Sequence, residues 1–210
     1  MEYTHIIWDF NGTILNDLEP CIDVLNVMLK NRGLCPCSKE RYKEIFGFPI
    51  KRYYESAGFD FTKEDYGVLA DEWAALYLEK SQSSTLCVGV SEALEFFMAK
   101  GVPQIILSAT EQNMLKAQLS ALGIAHYFLE TLALSNLYAF SKVELGKSWV
   151  ERVKPEKALF IGDTLHDFET ASAMGVDCAL IASGHQSEKR LQAAGTPVFN
   201  TVFELIEALK

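Results

Sequence analysis

Three carboxylates in this 210-residue chain stand where apolar runs end. Asp9 directly follows the run His5–Trp8, whereas Asp163 follows a second apolar run and Asp167 comes four residues later. Three carboxylates that meet would form a hard, oxygen-rich pocket suited to Mg²⁺, and without a cation they would repel one another. A carboxylate such as Asp9 can also attack phosphorus or carbon, which divides a difficult hydrolysis into two easier steps.

Residues that can bind an anion also lie near the ends of the apolar runs. Ser108 follows a third apolar run, and Thr110 is expected to cap the next helix, so that two hydroxyls and a helix N-terminus face one crevice. Gly12 and Thr13 allow a tight turn whose backbone N–H groups are available to an anion. A purely structural role as capping residues stays open for Ser108 and, more so, for Thr110.

A lysine near these carboxylates would neutralise them and bind a phosphoryl group as a point charge. Lys142 is expected in a loop at a strand end, and this position favours it over Lys147, the competing candidate. Each of the two lysines can instead be a solvated surface residue, and that alternative stays open.

The elements that must position these residues follow from the apolar patterns. From residue 85 onwards strand and helix patterns alternate, which is typical of a parallel sheet with helices on both faces. Residues 17–80 have helical spacing throughout and therefore indicate an all-helical insertion after the first strand. Ligands of such sheets bind at the carboxyl ends of the strands, where Asp9, Ser108 and Asp163 are expected.

The composition excludes several classes of partner. Apolar residues make up 49% of the chain, enough for a sizeable core, and 19 Lys and Arg against 28 Asp and Glu give a net charge of −9. Without a basic cluster, neither nucleic acid nor an anionic membrane is an expected partner. The sequence has no signal-peptide pattern and five cysteines without framework spacing, so we expect a cytoplasmic protein with reduced thiols.

The ordered set of motifs resembles the haloacid dehalogenase superfamily, and especially its phosphoglycolate-phosphatase-like members. The set consists of Asp9-Phe10-Asn11-Gly12-Thr13, then Ser108, then Lys142, then Gly162-Asp163 with Asp167. The resemblance covers nearly the whole chain. It implies an α/β fold with a Rossmann-like parallel-sheet core at 1–14 and 85–210 and an inserted all-helical cap at 15–84. It also implies a Mg²⁺-dependent phosphatase that acts on a small phosphorylated metabolite.

The resemblance also implies a role for each motif residue. Asp9 would form an aspartyl-phosphate. Mg²⁺ would be held by Asp9, the backbone carbonyl of Asn11 and Asp163, with Asp167 ligating or supporting. The residues expected to contact substrate are Ser108, Lys142, Gly12, Thr13 and Thr110. In the cap, residues 46–52 are the candidate specificity loop, with Phe48 to pack on the substrate and Lys51 or Arg52 to bind an anion; an ordinary interhelix turn is the open alternative.

Asn11 departs from the family pattern, because family phosphatases usually carry Asp there. That Asp is implied to protonate the leaving oxygen and later to take a proton from the attacking water. An amide cannot carry a proton, and general acid–base help is typically worth ~10²–10⁴-fold in rate. Two explanations keep the enzyme active: a leaving group that needs no proton, as in acyl or aryl phosphates and anhydrides, or a replacement acid from His166 or Asp17.

Other functions also stay open. A catalytically weak protein could bind a phosphorylated metabolite as a sensor or structural partner. A phosphonate hydrolase of the same superfamily tolerates a non-acid at position 11, but it is implied to need a Schiff-base lysine in the cap, for which Lys51 is the candidate. Dehalogenation is less favoured, because it proceeds without a metal and would leave the Asp163 and Asp167 pair without a role.

Overall fold

A six-stranded parallel sheet forms the centre of the molecule. The computed structural model describes residues 2–134 and 142–210. Its strands, in chain order, are β1 (His5–Trp8), β2 (Leu15–Asn16), β3 (Thr85–Leu86), β4 (Gln104–Glu111), β5 (Glu130–Leu134), β6 (Ala158–Gly162), β7 (Asp177–Ile181) and β8 (Val198–Phe199). The sheet has the order β5-β4-β1-β6-β7-β8, and β2 pairs with β3 in a separate antiparallel ladder. The predicted α/β class with a Rossmann-like parallel sheet is thereby confirmed.

Helices cover this sheet and form a second unit beside it. They are α1 (Leu18–Asn31), α2 (Lys39–Ile45), α3 (Ile50–Ala57), α4 (Tyr66–Lys80), α5 (Val90–Ala99), α6 (Gln112–Ala121), α7 (Lys142–Val153), α8 (Leu165–Met174), α9 (Glu188–Gln192) and α10 (Val202–Leu209). The first four follow one another between β2 and β3, and the others alternate with strands. Within the described part of the chain, no helix has the length and apolar character that a bilayer span requires.

Strand β1 lies in the middle of the sheet because its residues can be buried on both faces. Ile6, Ile7 and Trp8 are fully buried. Ile6 and Trp8 pack in the apolar layer of α5, α6 and α10, whereas Ile7 packs in the layer of α7, α8 and α9. A strand covered on both faces has a continuous apolar sequence. The first polar residue after it, Asp9, therefore emerges at the carboxyl edge of the sheet.

The first four helices have an apolar core of their own. Leu25, Met28 and Leu29 of α1 are buried there with Leu69 of α4. The β2–β3 ladder pairs the segment that leads into these helices with the segment that follows them. A separate core agrees with an insertion at 15–84, and the division into a core at 1–14 and 85–210 and a helical cap stays a prediction.

Strand β4 extends beyond its predicted end. The sequence pattern placed its end at Ser108 and made Thr110 the cap of the next helix. Instead β4 continues to Glu111 through an irregularity in its pairing with β5, and the Glu111 carboxylate accepts the N–H groups of Asn113 and Met114 in α6. The prediction that Thr110 caps this helix was wrong, because an irregular strand segment cannot be recognised from a pattern of apolar residues.

Candidate functional site

Three carboxylates converge at the carboxyl edge of the central strands. Asp9 follows β1, Asp163 follows β6, and Asp167 lies in the first turn of α8. Because β1 and β6 are neighbours, the N–H of Asp9 donates to the carbonyl of Ile161 at 2.8 Å, and the two strand ends lie side by side. All three carboxylates are buried, and one oxygen of each lies within 4.8 Å of one oxygen of the others.

Lys142 is the cation of this carboxylate cluster. It is the first described residue of α7 and only 3% exposed, whereas Lys147 on the same helix is exposed. The Lys142 Nζ donates to Oδ1 of Asp9 and, at 2.5 Å, to Oδ1 of Asp167. The structure brings Lys142 rather than Lys147 to the carboxylates. It does so from a helix and not from the expected loop, because the helix begins before the residues whose pattern indicated it.

Burial and the charge of Lys142 have opposite effects on the pKa values of Asp9 and Asp167. Burial raises the pKa of Asp9 well above its ordinary value; the charges of Asp167 and Asp163 add to the rise, and Lys142 opposes it. Burial alone would also raise the pKa of Asp167, but Lys142 and hydrogen bonds from Thr164 hold that pKa below its ordinary value. A further positive charge beside Asp9 would favour its ionised form.

Asp163 is held by donors from two other loops. The Thr13 Oγ1 donates to its Oδ1 at 3.0 Å, and the backbone N–H of His185 donates to its Oδ2 at 2.6 Å. Burial raises the pKa of Asp163 to about 6. A Cβ at Gly12 or at Gly184 would overlap this carboxylate, and Gly12 also has a φ of +74°, so the turn after β1 requires glycine.

Asp167 is tied to the backbone as well as to Lys142. Its Oδ2 accepts the N–H groups of Asp163 at 3.1 Å and Thr164 at 2.9 Å. The Thr164 Oγ1 also accepts the N–H of Asp167, which completes a capping box at the start of α8. One oxygen of Asp167 thus serves the helix cap and the other serves Lys142.

Ser108 and Thr110 lie on the irregular segment of β4 and line the same cavity as Asp9. The Ser108 Oγ accepts the Thr110 N–H and donates to the Thr110 Oγ1, each at 3.0 Å. The Thr110 Oγ1 donates in turn to Oδ1 of Asn11 at 2.6 Å. Both predicted hydroxyls therefore reach the cavity, with Thr110 bound to Asn11 instead of a helix N-terminus.

The side chain of Asn11 is held by partners on both its polar atoms. Its Nδ2 donates to Oδ2 of Asp17 and to the hydroxyl of Tyr77, each at 2.7 Å, and its Oδ1 accepts from Thr110. The Tyr77 hydroxyl donates to the same Asp17 oxygen at 2.7 Å. A carboxylate at position 11 would face the Asp17 carboxylate without the N–H donor that Asn11 now places between them. The asparagine is therefore built into a buried network.

Asp17 and His185 form a buried ion pair next to Asn11. The His185 Nε2 lies 3.2 Å from Oδ1 of Asp17, and its Nδ1 lies 3.0 Å from the Tyr42 hydroxyl. Sequence reasoning named Asp17 as a replacement acid and missed His185. The signal was present, since His185 follows the apolar run of β7 and thus comes after the end of another parallel strand.

The ion pair is charged at neutral pH. Burial alone would lower the pKa of His185, but the neighbouring Asp17 raises it to about 9. Burial would raise the pKa of Asp17, yet His185, Tyr77 and Asn11 hold it below its ordinary value. The Cys21 thiol lies 3.6 Å from Asp17, so Asp17, Cys21 and His185 also bring metal-type donors within 4.8 Å of one another. The ion pair and the hydrogen bonds already engage these donors.

Stability is expected to fall as pH rises towards 9.5. The folded pKa of His185, about 9, lies above its ordinary value of 6.5. Its contribution is therefore complete below pH 6.5 and is lost as pH rises through 9, about 3 kcal/mol in all. Urea unfolding between pH 6 and 9.5 measures this loss. The change should vanish in His185→Asn and persist in the exposed control His126→Asn; an equal change in both variants would contradict the assignment.

A cavity of about 290 Å³ extends from the carboxylate cluster between the helices α2, α3 and α4. Beyond the cluster its walls are mainly aromatic, with Phe46, Phe48, Tyr53, Tyr54, Trp73 and Tyr77 among them. Phe48 belongs to the predicted specificity loop at 46–52, and its ring stacks on His166 with centroids 4.4 Å apart. This loop therefore reaches the cavity through its two aromatic residues, Phe46 and Phe48.

The basic residues of that loop are placed elsewhere. Lys51, predicted to bind an anion, is exposed on α3, and its Nζ lies 5.2 Å from the ring centroid of Phe61. Arg52 is exposed too, and neither residue lines the cavity. They extend away because they lie on the turn of α3 whose opposite face carries the buried Tyr53 and Tyr54.

Sequence comparison finds a family and several curated relatives. Residues 6–181 match the pattern of the haloacid dehalogenase-like hydrolases. A phosphoglycolate phosphatase from Pseudomonas putida is 22% identical over 198 residues, which cover 90% of this chain and 72% of that one. A phosphoglycolate phosphatase from Chromobacterium violaceum is 22% identical over 216 residues, covering 98% and 96%.

Solved structures share the fold over the whole chain. A haloacid dehalogenase-like hydrolase from Streptococcus pneumoniae superposes with a TM-score of 0.85 at 17% identity and covers 99% of both chains. A predicted phosphoglycolate phosphatase from Haemophilus somnus gives a TM-score of 0.79 at 18% identity, covering 100% of this chain and 99% of that one. At these identities the likeness establishes the fold.

Proposed function

Because the chain belongs to the haloacid dehalogenase-like hydrolases, we propose that it is a Mg²⁺-dependent phosphatase that acts on a small phosphorylated metabolite through an aspartyl-phosphate on Asp9. The observation that carries this proposal is the contact of Lys142 with both Asp9 and Asp167 inside a cluster of three buried carboxylates. Burying so much charge is costly, and clusters of this kind are typical of functional sites. The curated relatives, named phosphoglycolate phosphatases, support the same activity class.

The donor set of the cluster suits Mg²⁺. Asp9, Asp163 and Asp167 offer carboxylate oxygens, the ligands that a hard divalent cation prefers. Asp9, Asp163 and the backbone carbonyl of Asn11 would hold the ion, with Asp167 in support because its oxygens already serve Lys142 and the cap of α8. When bound, Mg²⁺ would offset the negative charge of the phosphoryl group and of the carboxylates.

Asp9 would act as the nucleophile. One of its oxygens attacks phosphorus, the bond from phosphorus to the ester oxygen breaks, and the leaving group departs with the electron pair. Water then attacks the phosphorus, the bond to Asp9 breaks, and inorganic phosphate leaves with the proton of the water passing to phosphate or solvent. Ser108 and Lys142 would bind the phosphoryl oxygens. Gly12 and Thr13, predicted for the same role, do not line the cavity, and the N–H of Gly12 donates at 2.9 Å to Oδ1 of Asp17.

The surroundings of Asn11 favour substrates whose leaving group needs no proton. Both ring nitrogens of His185 are engaged, and Asp17 is an ionised acceptor held by several donors. His166 is stacked on Phe48 and does not line the cavity. None of the candidates for a replacement acid is thus free to deliver a proton, which supports acyl, aryl or similarly activated phosphates.

A second candidate is a protein that binds a phosphorylated metabolite without hydrolysing it. The observation in its favour is Asn11, since the residue that carries protons in family phosphatases is an amide here. Phosphonate hydrolysis gains no support, because Lys51, its candidate Schiff-base residue, is exposed beside Phe61. Catalysis remains the better supported function, because a silent site has no use for the buried contacts of Lys142.

Hydrolysis is expected to require Mg²⁺ and to favour activated substrates. Protein whose Asn11 is verified by intact mass is assayed with acetyl phosphate, p-nitrophenyl phosphate and alkyl phosphates, with Mg²⁺ and with EDTA. The activated substrates should react at least ~10²-fold faster than the alkyl esters, and EDTA should abolish both activities until Mg²⁺ is restored. Activity that survives EDTA would contradict the metal requirement, and binding without hydrolysis would favour the second candidate.

A further inference from the structure

We infer that the group esterified to the phosphate is uncharged and aromatic, or of similar apolar character, and that esters with a second anionic group are poor substrates. This inference rests on the proposed phosphatase function. It concerns the part of the substrate that enters the cavity between α2, α3 and α4. The inferred substrate therefore differs from phosphoglycolate, the substrate in the names of the relatives, because phosphoglycolate carries a carboxylate.

Fixed aromatic rings form much of the cavity wall beyond the carboxylate cluster. The rings of Trp73 and Tyr77 stack with centroids 4.6 Å apart and planes 12° apart, and Asp17 fixes the hydroxyl of Tyr77. Phe46 packs edge-on against Tyr53 with centroids 5.2 Å apart. Rings held in this way offer apolar area and offset stacking to another ring, and they carry no positive charge that could pair with an anion.

The basic groups of the cavity are already paired. Among residues 2–134 and 142–210, the basic side chains that line it are Lys142 and His185. Lys142 is bound by two carboxylates at the phosphoryl end, and His185 is paired with Asp17. Residues 135–141 contain no Lys or Arg in the sequence. A carboxylate on the leaving group would lose its hydration without gaining a partner.

Basic residues of neighbouring elements are used to dock the loop that bears Phe46. The Lys43 Nζ donates to the carbonyl of Ala182 at 2.8 Å. The Arg190 Nη1 donates to the carbonyl of Phe46 at 2.7 Å, and the Gln186 Nε2 donates to the same oxygen at 2.9 Å. These cations hold an aromatic wall against the sheet and do not face the ligand space.

The size of the cavity and the identity of Asn11 agree with the same class of substrate. About 290 Å³ is at the lower limit of small-molecule sites, which hold ~300–1,000 Å³, and it suits one ring with a phosphate. An aryl oxyanion leaves more readily than an alkoxide and needs no proton from the protein. It therefore suits a site in which Asn11 cannot protonate the leaving group. The aromatic walls and the missing acid are independent observations that select aryl esters.

Phosphonates that differ only in the group entering the cavity test this inference. Methylphosphonate, benzylphosphonate and phosphonoacetate are compared as competitive inhibitors of acetyl phosphate hydrolysis. Because they share the phosphonate group and have no ester leaving group, the differences between their inhibition constants report the group that enters the cavity. We expect benzylphosphonate to bind best and phosphonoacetate worst, with at least ~10-fold between the two.

Variants of the wall assign the preference to named rings. Trp73→Ala and Phe48→Ala should each reduce the preference for benzylphosphonate over methylphosphonate, Trp73→Ala by about 10-fold. Phe48 is 42% exposed, so its variant should fold even where Trp73→Ala does not. The matched control is Leu78→Ala on α4, which is 56% exposed, lies outside the cavity and should retain the preference.

The outcomes separate this inference from the proposed function. Phosphonoacetate that binds as tightly as benzylphosphonate would overturn the inference, as would an unchanged preference in both wall variants. In either case, hydrolysis of acetyl phosphate would leave the phosphatase proposal intact. If no phosphate is hydrolysed, the proposed function fails, and calorimetric titration with the same three phosphonates still decides which group the cavity binds.

Discussion

Asp9→Asn should lower kcat/KM for every phosphate substrate by about 10⁴-fold or more, because an amide oxygen is a poor nucleophile and the covalent step is lost. The substitution keeps the shape of the side chain. Lys142 also keeps its hydrogen bond to Asp167, so the carboxylate cluster retains a paired cation. Steady-state kinetics with acetyl phosphate and p-nitrophenyl phosphate measure the loss, and circular dichroism verifies the fold.

Asp23→Asn is the matched control for this prediction, since it makes the same chemical change on an exposed position of α1. It should retain wild-type kinetics. Borohydride reduction of acid-quenched enzyme adds a direct test, because it converts an aspartyl-phosphate into homoserine at the phosphorylated position. An Asp9→Asn protein within tenfold of wild type, or homoserine at another aspartate, would show that Asp9 is not the nucleophile.

Exchanging the residues at positions 11 and 17 should create the acid that this chain lacks. In Asn11→Asp/Asp17→Asn the carboxyl group and the amide trade places, so position 11 can carry a proton and the new amide at position 17 can donate to it. We expect kcat for alkyl phosphates to rise by about 10²-fold, the lower part of the range for general acid–base help. Rates for a panel of alkyl phosphates at saturating substrate measure the gain.

The single variants complete the test of this exchange. Asn11→Asp alone places two carboxyl groups where Asn11 and Asp17 now lie 2.7 Å apart, so they must share a proton. It should accelerate alkyl phosphates as well, but at a lower unfolding midpoint in urea. Asp17→Asn alone should give no gain. If neither the double variant nor Asn11→Asp alone exceeds wild type, the asparagine does not limit the reaction.

Much of the carboxylate cluster could be predicted because topology determines it. In a parallel sheet the strand ends share one edge, so polar residues after apolar runs must meet there, as Asp9, Ser108 and Asp163 do. The same rule favoured Lys142 over Lys147, although the lysine lies in a helix. The short strand β8 and the partly exposed β5 were missed, because their apolar patterns are weak.

The interactions of individual side chains could not be predicted in the same way. The direction of Lys51 depends on how α3 packs, and the position of Thr110 depends on an irregular strand segment. The network of Asn11 joins residues 6, 66 and 99 positions away along the chain, which no local pattern reveals. The sequence therefore indicates only that an acid is missing at position 11. The structure shows in addition that Asn11 donates a hydrogen bond to Asp17.

This chain is expected to hydrolyse phosphates without a proton donor at position 11. The most direct test is the dependence of kcat/KM on the pKa of the leaving group, measured with substituted phenyl phosphates and protein whose Asn11 is verified by mass. Without an acid, the rate should fall steeply as the leaving group becomes more basic, and the slope should flatten in Asn11→Asp/Asp17→Asn. A flat dependence in the wild type would contradict the account, because it would mean that another group protonates the leaving oxygen.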